Sequence, residues 1–547
     1  MKCLLVIPPY NERNSPIFFY IMPMGMAYIN TAMRQAGLDV TCINLNNYEY
    51  DKSFDVLASK ITTDNIECVL CGALSGSWRI LKKVFSIAKA ANPNIITIGG
   101  GGAYTAEPFP TAKLTDVDYA VIGEGEITDV ELVQTLISKG DVSKVKGILY
   151  KENGIYKQTP PREEIQDLDT IAFPSYEDFD MEIYLDNQNL SNGYYLNKLD
   201  NPRAISMILG RSCPYHCKFC FHPSGAKYRI RSLDNFFEEL DFVMEKYQPN
   251  CILVLDELFS AKVERIYEFC ERIKPYHLNW LCQMRVDIVT KELLQTMKDA
   301  GCHSICYGLE SHSETVLKNM RKYIDIEEID RALEVTYDVG VDIEANFIFG
   351  DELEDMHTFY ETMSWWFKNQ KYGIHLLMIE TYPGTGYYEE LVKNGTITDK
   401  EQFLQDTNFL VNLTKDPVFW QKITVVISIL NMYFIEELRG EILDLYENPD
   451  KKIVLVTKCR HCGAINRYVD ISKSAFTRIV LPLGCRNCGH RNMFYTLDPK
   501  DLPNYGILEY LCRMMSQAKN EEDFSQAVDT LYMVYMQLRN PDCPFPI

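Results

Sequence analysis

The chain is 547 residues long, 46% hydrophobic and 24% charged. That is too long for one hydrophobic core and ordinary for a soluble globular protein, so roughly two to four domains are expected. Its net charge of −21 argues against a nucleic-acid partner, because phosphate neutralisation needs Lys and Arg.

The opening MKCLLVIPPY has an apolar run of only Cys3–Ile7 before Pro8 and Pro9, and reads as a first β-strand rather than an export signal. ITVVISILNMYFI (423–435) is too short to span a bilayer and reads as a buried helix. A cytoplasmic protein is therefore expected, its 18 cysteines thiols or metal ligands rather than disulfides.

Residues 1–150 alternate strand and helix. KCLLVIPP (2–9), VTCINLN (40–46), CVLCGAL (68–74), IITIGGG (95–101) and YAVIGEGE (119–126) are short β-branched runs; MGMAYINTAMRQAG (24–37) and RILKKVFSIAKAA (79–91) are amphipathic between them. This α/β pattern predicts a doubly wound, Rossmann-like parallel sheet, with ligands bound at the carboxyl ends of its strands. Those ends carry Tyr10, Ser75, Gly76, Gly99, Gly100, Gly101, Glu124 and Gly125. Small residues there let a large ligand approach the backbone, or simply form tight turns. Cys68 and Cys71 are three apart in a strand, hence on opposite faces, and read as structural.

Residues 151–200 lack periodicity and read as a linker, PPREEIQDLDTIAFPSYEDF (160–179) wrapping the surface. A second alternating series spans 201–395, with strands at 204–210, 251–256, 279–285, 304–310, 342–350 and 375–384 and helices at 232–247, 291–301 and 326–340. Six βα units predict a partial (β/α)6 barrel with its active site at the strand C-termini.

Immediately after the first of these strands comes CPYHCKFC (213–220). Iron–sulfur cubanes commonly take four thiolates, so Cys213, Cys217 and Cys220 leave one iron open, the mark of a metal doing chemistry. The alternative is a structural zinc completed by His216 or His222.

This loop, with Phe219 before its last cysteine, resembles that of radical S-adenosylmethionine (SAM) enzymes. YRIRS (228–232), DELF (256–259), CQMRVD (282–287), YGLES (307–311) and YPGTGYYE (382–389) agree. With the N-terminal domain, the chain resembles cobalamin-binding radical SAM enzymes over about residues 1–395. The resemblance implies a 4Fe–4S cluster on Cys213, Cys217 and Cys220. It places SAM near Phe219, Arg285 and Glu310, with Asp256 and Glu257 for its amine or ribose, and cobalamin on the first domain's strand ends. It implies a cobalamin-dependent methyltransferase acting on an unactivated carbon through a 5′-deoxyadenosyl radical and methylcobalamin, on a small-molecule or peptide substrate, with a flavodoxin- or ferredoxin-type electron donor. The alternatives are a cobalamin-dependent rearrangement or cyclisation without methyl transfer, and a non-enzymatic metal-binding or electron-transfer protein.

The sequence departs from the family in places. All nine histidines lie at or after residue 216, so cobalamin in the first domain is expected base-off with no His on cobalt. GGGGAY (99–104) lacks the family's His, and FIFGDELED (347–355) its Pro-Gly turn.

Residues 396–450 read as a helical connection. CRHCG (459–463) and CRNCG (485–489) flank IVLPL (479–483) and predict a zinc ribbon over 451–500, its ligands Cys459, Cys462, Cys485 and Cys488; a second cluster is the alternative. Residues 451–494 hold nine Lys or Arg against Asp470 alone, a local charge of +8 that docks the ribbon on its acidic body or grips an acidic partner. Closing helices are expected over 501–547.

Overall fold

The structure, a computed structural model, describes residues 1–10, 20–190, 196, 198–259, 261–406, 409–433, 436–471, 480–495 and 505–539. Part of the expected 423–435 helix, Lys473 and Arg478 of the basic run, Ile479 of the ribbon strand, and the ends of the closing segment lie outside them.

Five short apolar runs become parallel strands: β1 (Lys2–Ile7), β2 (Asp39–Asn44), β3 (Cys68–Gly72), β4 (Ile96–Gly100) and β5 (Tyr119–Val121). Their order, β2-β1-β3-β4-β5, is that of a doubly wound sheet with a switch point between β1 and β3. Helices Met24–Gln35 and Trp78–Ala91 bury one stripe each, through Met26, Ala27 and Met33 and through Leu81, Val84 and Phe85. Cys68 joins the core on one face and Cys71 the core on the other, as period-two alternation requires.

The sheet does not stop at residue 150. β6 (Ile148–Glu152) and β7 (Ile155–Gln158) add an antiparallel hairpin at its edge. Asn153 (φ 51°) and Gly154 (φ 80°) form its turn, the left-handed pair that a two-residue hairpin demands. The rest of the linker is a packed strap: Tyr176, Phe179, Tyr184 and Leu185 are buried, and Thr31 receives the Ser175 amide at 2.8 Å while its hydroxyl donates to Phe173 O.

The second sheet contains β8 (Ala204–Met207), β11 (Cys251–Val254), β12 (Asn279–Met284), β13 (Cys302–Glu310), β14 (Asp342–Phe349) and β15 (His375–Met378), paired in parallel and in chain order, with β8 and β15 at its open edges. A small ladder, β9 (Gly210–Arg211) and β10 (Arg229–Ile230), brackets the cysteine loop. Cys282 and Met284 face the helix-side core, so Gln283, exposed between them, faces the inner side. Leu377 on the edge strand β15 is likewise exposed, at 45%.

The C-terminal module begins earlier than its cysteines suggest. β16 (Glu441–Glu447) pairs with β17 (Ile453–Lys458) and β18 (Ile465–Val469), beside a hairpin of β19 (Val480–Gly484) and β20 (Arg491–Tyr495). The connection before it holds the α-helix Pro417–Tyr433 and a short 3-10 turn, Glu436–Leu438. Helices Tyr505–Gln517 and Glu521–Leu538 close the chain against Pro417–Tyr433, where Phe359 meets both Phe419 and Phe524. No helix among the described residues is long and apolar enough to cross a membrane.

Candidate functional site

The cysteine loop is pinned at both ends. Ser212, in the left-handed region at φ 66°, donates to Gly225 O at 2.7 Å, closing the loop's neck. Inside it, the Cys220 amide donates to Cys217 O and the Lys218 amide to Met320 O. Lys218 pairs with Glu352 at 2.9 Å and Glu390 at 3.1 Å. Cys213 and Cys217 are half-buried and Cys220 is exposed. Partial burial pushes the Cys213 and Cys217 thiols up, so without a cation on sulfur they stay protonated.

The surrounding acids and bases have distinct jobs. Glu310 ends β13 at a register shift and takes φ 66°, which turns its carboxylate inward toward Lys322 Nζ, 2.8 Å away. Arg285 lies over the Tyr215 ring at 3.8 Å and donates to Lys322 O, Tyr323 O and Asp287. Asp256 is buried and accepts the Leu209 amide at 2.7 Å, fixing the strand end that feeds the loop; burial raises its pKa to about 8. Glu257 pairs with His222, so that imidazole is oriented by a carboxylate. Phe219 packs with Val316, Met320 and Tyr387.

Across from the loop, a cavity of about 360 Å³ sits at the ends of β3, β4 and β5. Met26, Ile29, Leu70, Ile98 and Val121 make it apolar, and Gly99, Gly100, Gly101, Glu124 and Gly125 line its rim. A Cβ on Gly100 or Gly123 would enter open space, a cradle for a ligand lying against backbone. Tyr10 is 71% exposed and outside the lining, as are Ser75 and Gly76, whose turn faces Phe409 instead. Glu124 joins the two domains: it accepts from Arg211 at 2.6 Å, Arg229 at 2.9 Å and the Ile165 amide at 2.7 Å. Pro223 and Ser224, just past Cys220, complete the cavity wall. The cavity and the cysteine loop are therefore neighbours.

The ribbon builds a different centre. Cys459 and Cys488 lie 3.8 Å apart and Cys462 and Cys485 3.7 Å, and all four sulfurs fall within 4.8 Å of one another. A tetrahedron with metal–sulfur bonds of about 2.3 Å has edges of about 3.8 Å. The donors thus fit one ion and are too close together for a cubane, whose cysteines each hold a separate iron. Asn466, Asn487 and Asn492 donate to Cys485, Cys462 and Cys459. Both knuckles turn at left-handed glycines, Gly463 (φ 72°) and Gly489 (φ 83°). Among the described residues no other group brings three such ligand atoms this close, so the loop thiols stand wider, as separate irons require.

The ribbon docks on its own body. Arg491 is buried between Asp342, at 3.0 Å, and Glu344 on β14; Arg486 pairs with Asp200 at 2.6 Å, and His490 Nε2 donates to Tyr337 O at 2.9 Å. Sequence reasoning missed Lys322, Arg491 and His222. The first two sit in charged stretches that look solvated, and only the fold buries them. His222, a candidate metal ligand by spacing, instead meets Glu257.

A model of the B12 binding domain matches residues 16–133, and one of the radical SAM superfamily matches residues 207–365. A Pyrococcus horikoshii protein named as an uncharacterized methyltransferase is 27% identical over 85% of this chain and 96% of its own length. The anaerobic magnesium-protoporphyrin IX monomethyl ester cyclase of Rubrivivax gelatinosus is 27% identical over 76% of this chain and 74% of its own. The solved radical SAM methyltransferase TsrM of Kitasatospora setae shares the fold, with a TM-score of 0.60 at 15% identity over 72% of this chain and 76% of that one.

Proposed function

The chain belongs to the cobalamin-binding radical SAM enzymes, and from that premise we propose that it is a methyltransferase acting on an unactivated carbon of a small-molecule or peptide substrate. The observation that carries this reading is the shared wall: Pro223 and Ser224, a short way past Cys220, line the glycine-rimmed cavity of the first domain. When bound, cobalamin in that cavity and SAM on the loop's cluster supply the methyl group and the hydrogen-abstracting radical.

The chain's own residues bind, orient and enclose. Cys213, Cys217 and Cys220 would hold the cluster, and Glu310 and Arg285 stand beside their loop, through Lys322 and over the Tyr215 ring. Phe219, with Val316 and Tyr387, keeps water from one flank. Glu124, through Arg211 and Arg229, locks the cavity to the loop so that the two cofactors keep one separation. The ribbon's ion is zinc in this reading, with a structural part. A low-potential flavodoxin or ferredoxin serves as electron donor, and a reducing cytoplasm suits a chain whose described cysteines are all free thiols.

A second reading, cyclisation without methyl transfer, draws on the Rubrivivax cyclase likeness. Anaerobic turnover of a metabolite extract with cobalamin, reductant and SAM carrying a 13C methyl group separates the two by mass spectrometry. A labelled C-methyl product is expected. Formation of 5′-deoxyadenosine with an unlabelled, altered product would favour the second reading. In the same samples the cobalt(II) resonance should lack axial nitrogen coupling, since residues 1–200 contain no His.

A further inference from the structure

We propose that Lys322 is a positioning residue for the cluster: its buried ammonium, held by Glu310 beside the cysteine loop, sets the charge against which the cluster is reduced. The proposal depends on the cluster assignment to Cys213, Cys217 and Cys220, and not on methyl transfer.

The turn that carries Lys322 is built to aim it. Arg321 (φ 57°) and Tyr323 (φ 48°) bracket it, two left-handed non-glycine residues that cost backbone energy and persist only where the surroundings impose them. Two clamps do so. The Lys218 amide holds Met320 O at 3.0 Å, and the Arg285 guanidinium holds Lys322 O at 3.1 Å and Tyr323 O at 2.8 Å. One of them comes from the cluster loop itself, whose Cys217 Sγ lies 3.6 Å from Arg321 O. Arg321 and Tyr323 are left exposed, and Lys322 between them is 9% exposed.

Inside, Lys322 Nζ lies 2.8 Å from Glu310 Oε1 and 5.7 Å from the centre of the Phe219 ring. Gly308 makes the room, since a Cβ there would run into both the ammonium and the carboxylate. Burial is the largest influence and opposes the charge on Lys322, the Glu310 carboxylate is its main support, and the net shift of its pKa is upward. A buried Lys–Glu pair is weak evidence for stability, because desolvation cancels much of its attraction. Its placement against the cysteine loop, beside the Phe219 ring and next to the Arg321 carbonyl that Cys217 approaches, gives it a different purpose. The cluster takes one electron from the donor and gains one negative charge, while Lys322 keeps its proton throughout. A cation fixed in a site of low dielectric favours that reduced form.

The test is a redox titration of the reconstituted full-length protein, followed by the cluster's electron paramagnetic resonance, without SAM, cobalamin or substrate. Wild type is compared with Lys322→Met, Lys322→Arg and Glu310→Gln. Lys322→Met should lower the reduced-to-oxidised ratio at a fixed potential about tenfold, a shift of about 59 mV to lower potential. Lys322→Arg should restore most of it, and Glu310→Gln should shift the midpoint upward. An unchanged midpoint in Lys322→Met with full iron content would overturn the proposal, as would shifts of the same sign in Lys322→Met and Glu310→Gln. If Lys322→Met holds no cluster, Glu310→Gln decides: a rise supports the proposal and no change refutes it. Iron content in each sample shows separately whether the cluster assignment holds.

Discussion

In the ribbon, four thiols close to within 4.8 Å of one another, receive amide donors from three asparagines and leave no side open. In the loop, three thiols stand apart beside a buried Lys–Glu pair and share a wall with a cavity. Both are cysteine sites on tight turns, yet they divide the work. Four donors around one ion satisfy it, so its binding energy goes into folding. Three donors around a cluster leave a position for a further ligand, and here strained non-glycine backbone gathers beside the loop, at Ser212, Glu310, Arg321 and Tyr323. Donor count and spacing separate the two before any ligand is seen.

The sharpest way to break this comparison is at the loop. Cys217→Ala should abolish the cluster and with it all reductive cleavage of SAM, because three thiolates cannot spare one. Iron analysis and the yield of 5′-deoxyadenosine read the result, and cleavage at wild-type rate in this variant would end the assignment. The ribbon's metal content should stay at about one ion per chain, since its ligands lie in another module.

The mirror experiment is Cys485→Ser. It should empty the ribbon and lower the unfolding temperature of the C-terminal region, since binding energy on the order of 10 kcal/mol at such a site is folding energy. Cleavage of SAM should persist, because the loop is held by Ser212, Met320 and Arg285 rather than by the ribbon. Metal analysis should find zinc; an iron content about twice that of one cubane would make the ribbon an auxiliary cluster instead.

Much of this division is legible in the sequence, and the illegible part has a common cause. Cysteine spacing is local, so both sites and the strands that present them can be read from short windows; β8 and β11 to β15 fall within a few residues of the apolar runs that announce them. The β6–β7 hairpin carries its own signal, Asn153-Gly154 between alternating Ile148, Tyr150 and Ile155, and the missing regular helix around it hid the strand period. β16 is similar, with Leu443 and Leu445 alternating with Asp444 and Tyr446 in a stretch read as helical. Lys322 and Arg491 have no local signal at all. Each is a buried cation whose partner, Glu310 or Asp342 and Glu344, comes from a different element, and composition cannot distinguish it from a solvated one.

A smaller effect should appear on the cavity side of the open site. Asp129 lines the cavity and is 4% exposed, with no hydrogen bond or ion pair to any of the described residues. Its nearest charged neighbours are already engaged, Glu126 with Arg211 and Glu124 with Arg211 and Arg229. Burial, with repulsion from Glu126 adding, pushes its pKa to about 8. The folded chain therefore holds a proton that the unfolded chain has released, so between roughly pH 4 and pH 8 wild-type stability falls as pH rises, by at most about 1.4 kcal/mol per unit. Below that window both states are protonated and above it both are ionised, so the penalty is absent on the acid side and constant on the alkaline side. Asp129→Asn removes the ionisation and should raise the unfolding temperature of the ligand-free protein more at pH 8 than at pH 5. A gap that does not change with pH would show that Asp129 is not held neutral. A stabilising substitution at the cavity, set against a destabilising one at Cys485, is what a binding site bearing unsatisfied groups should give beside a closed structural one.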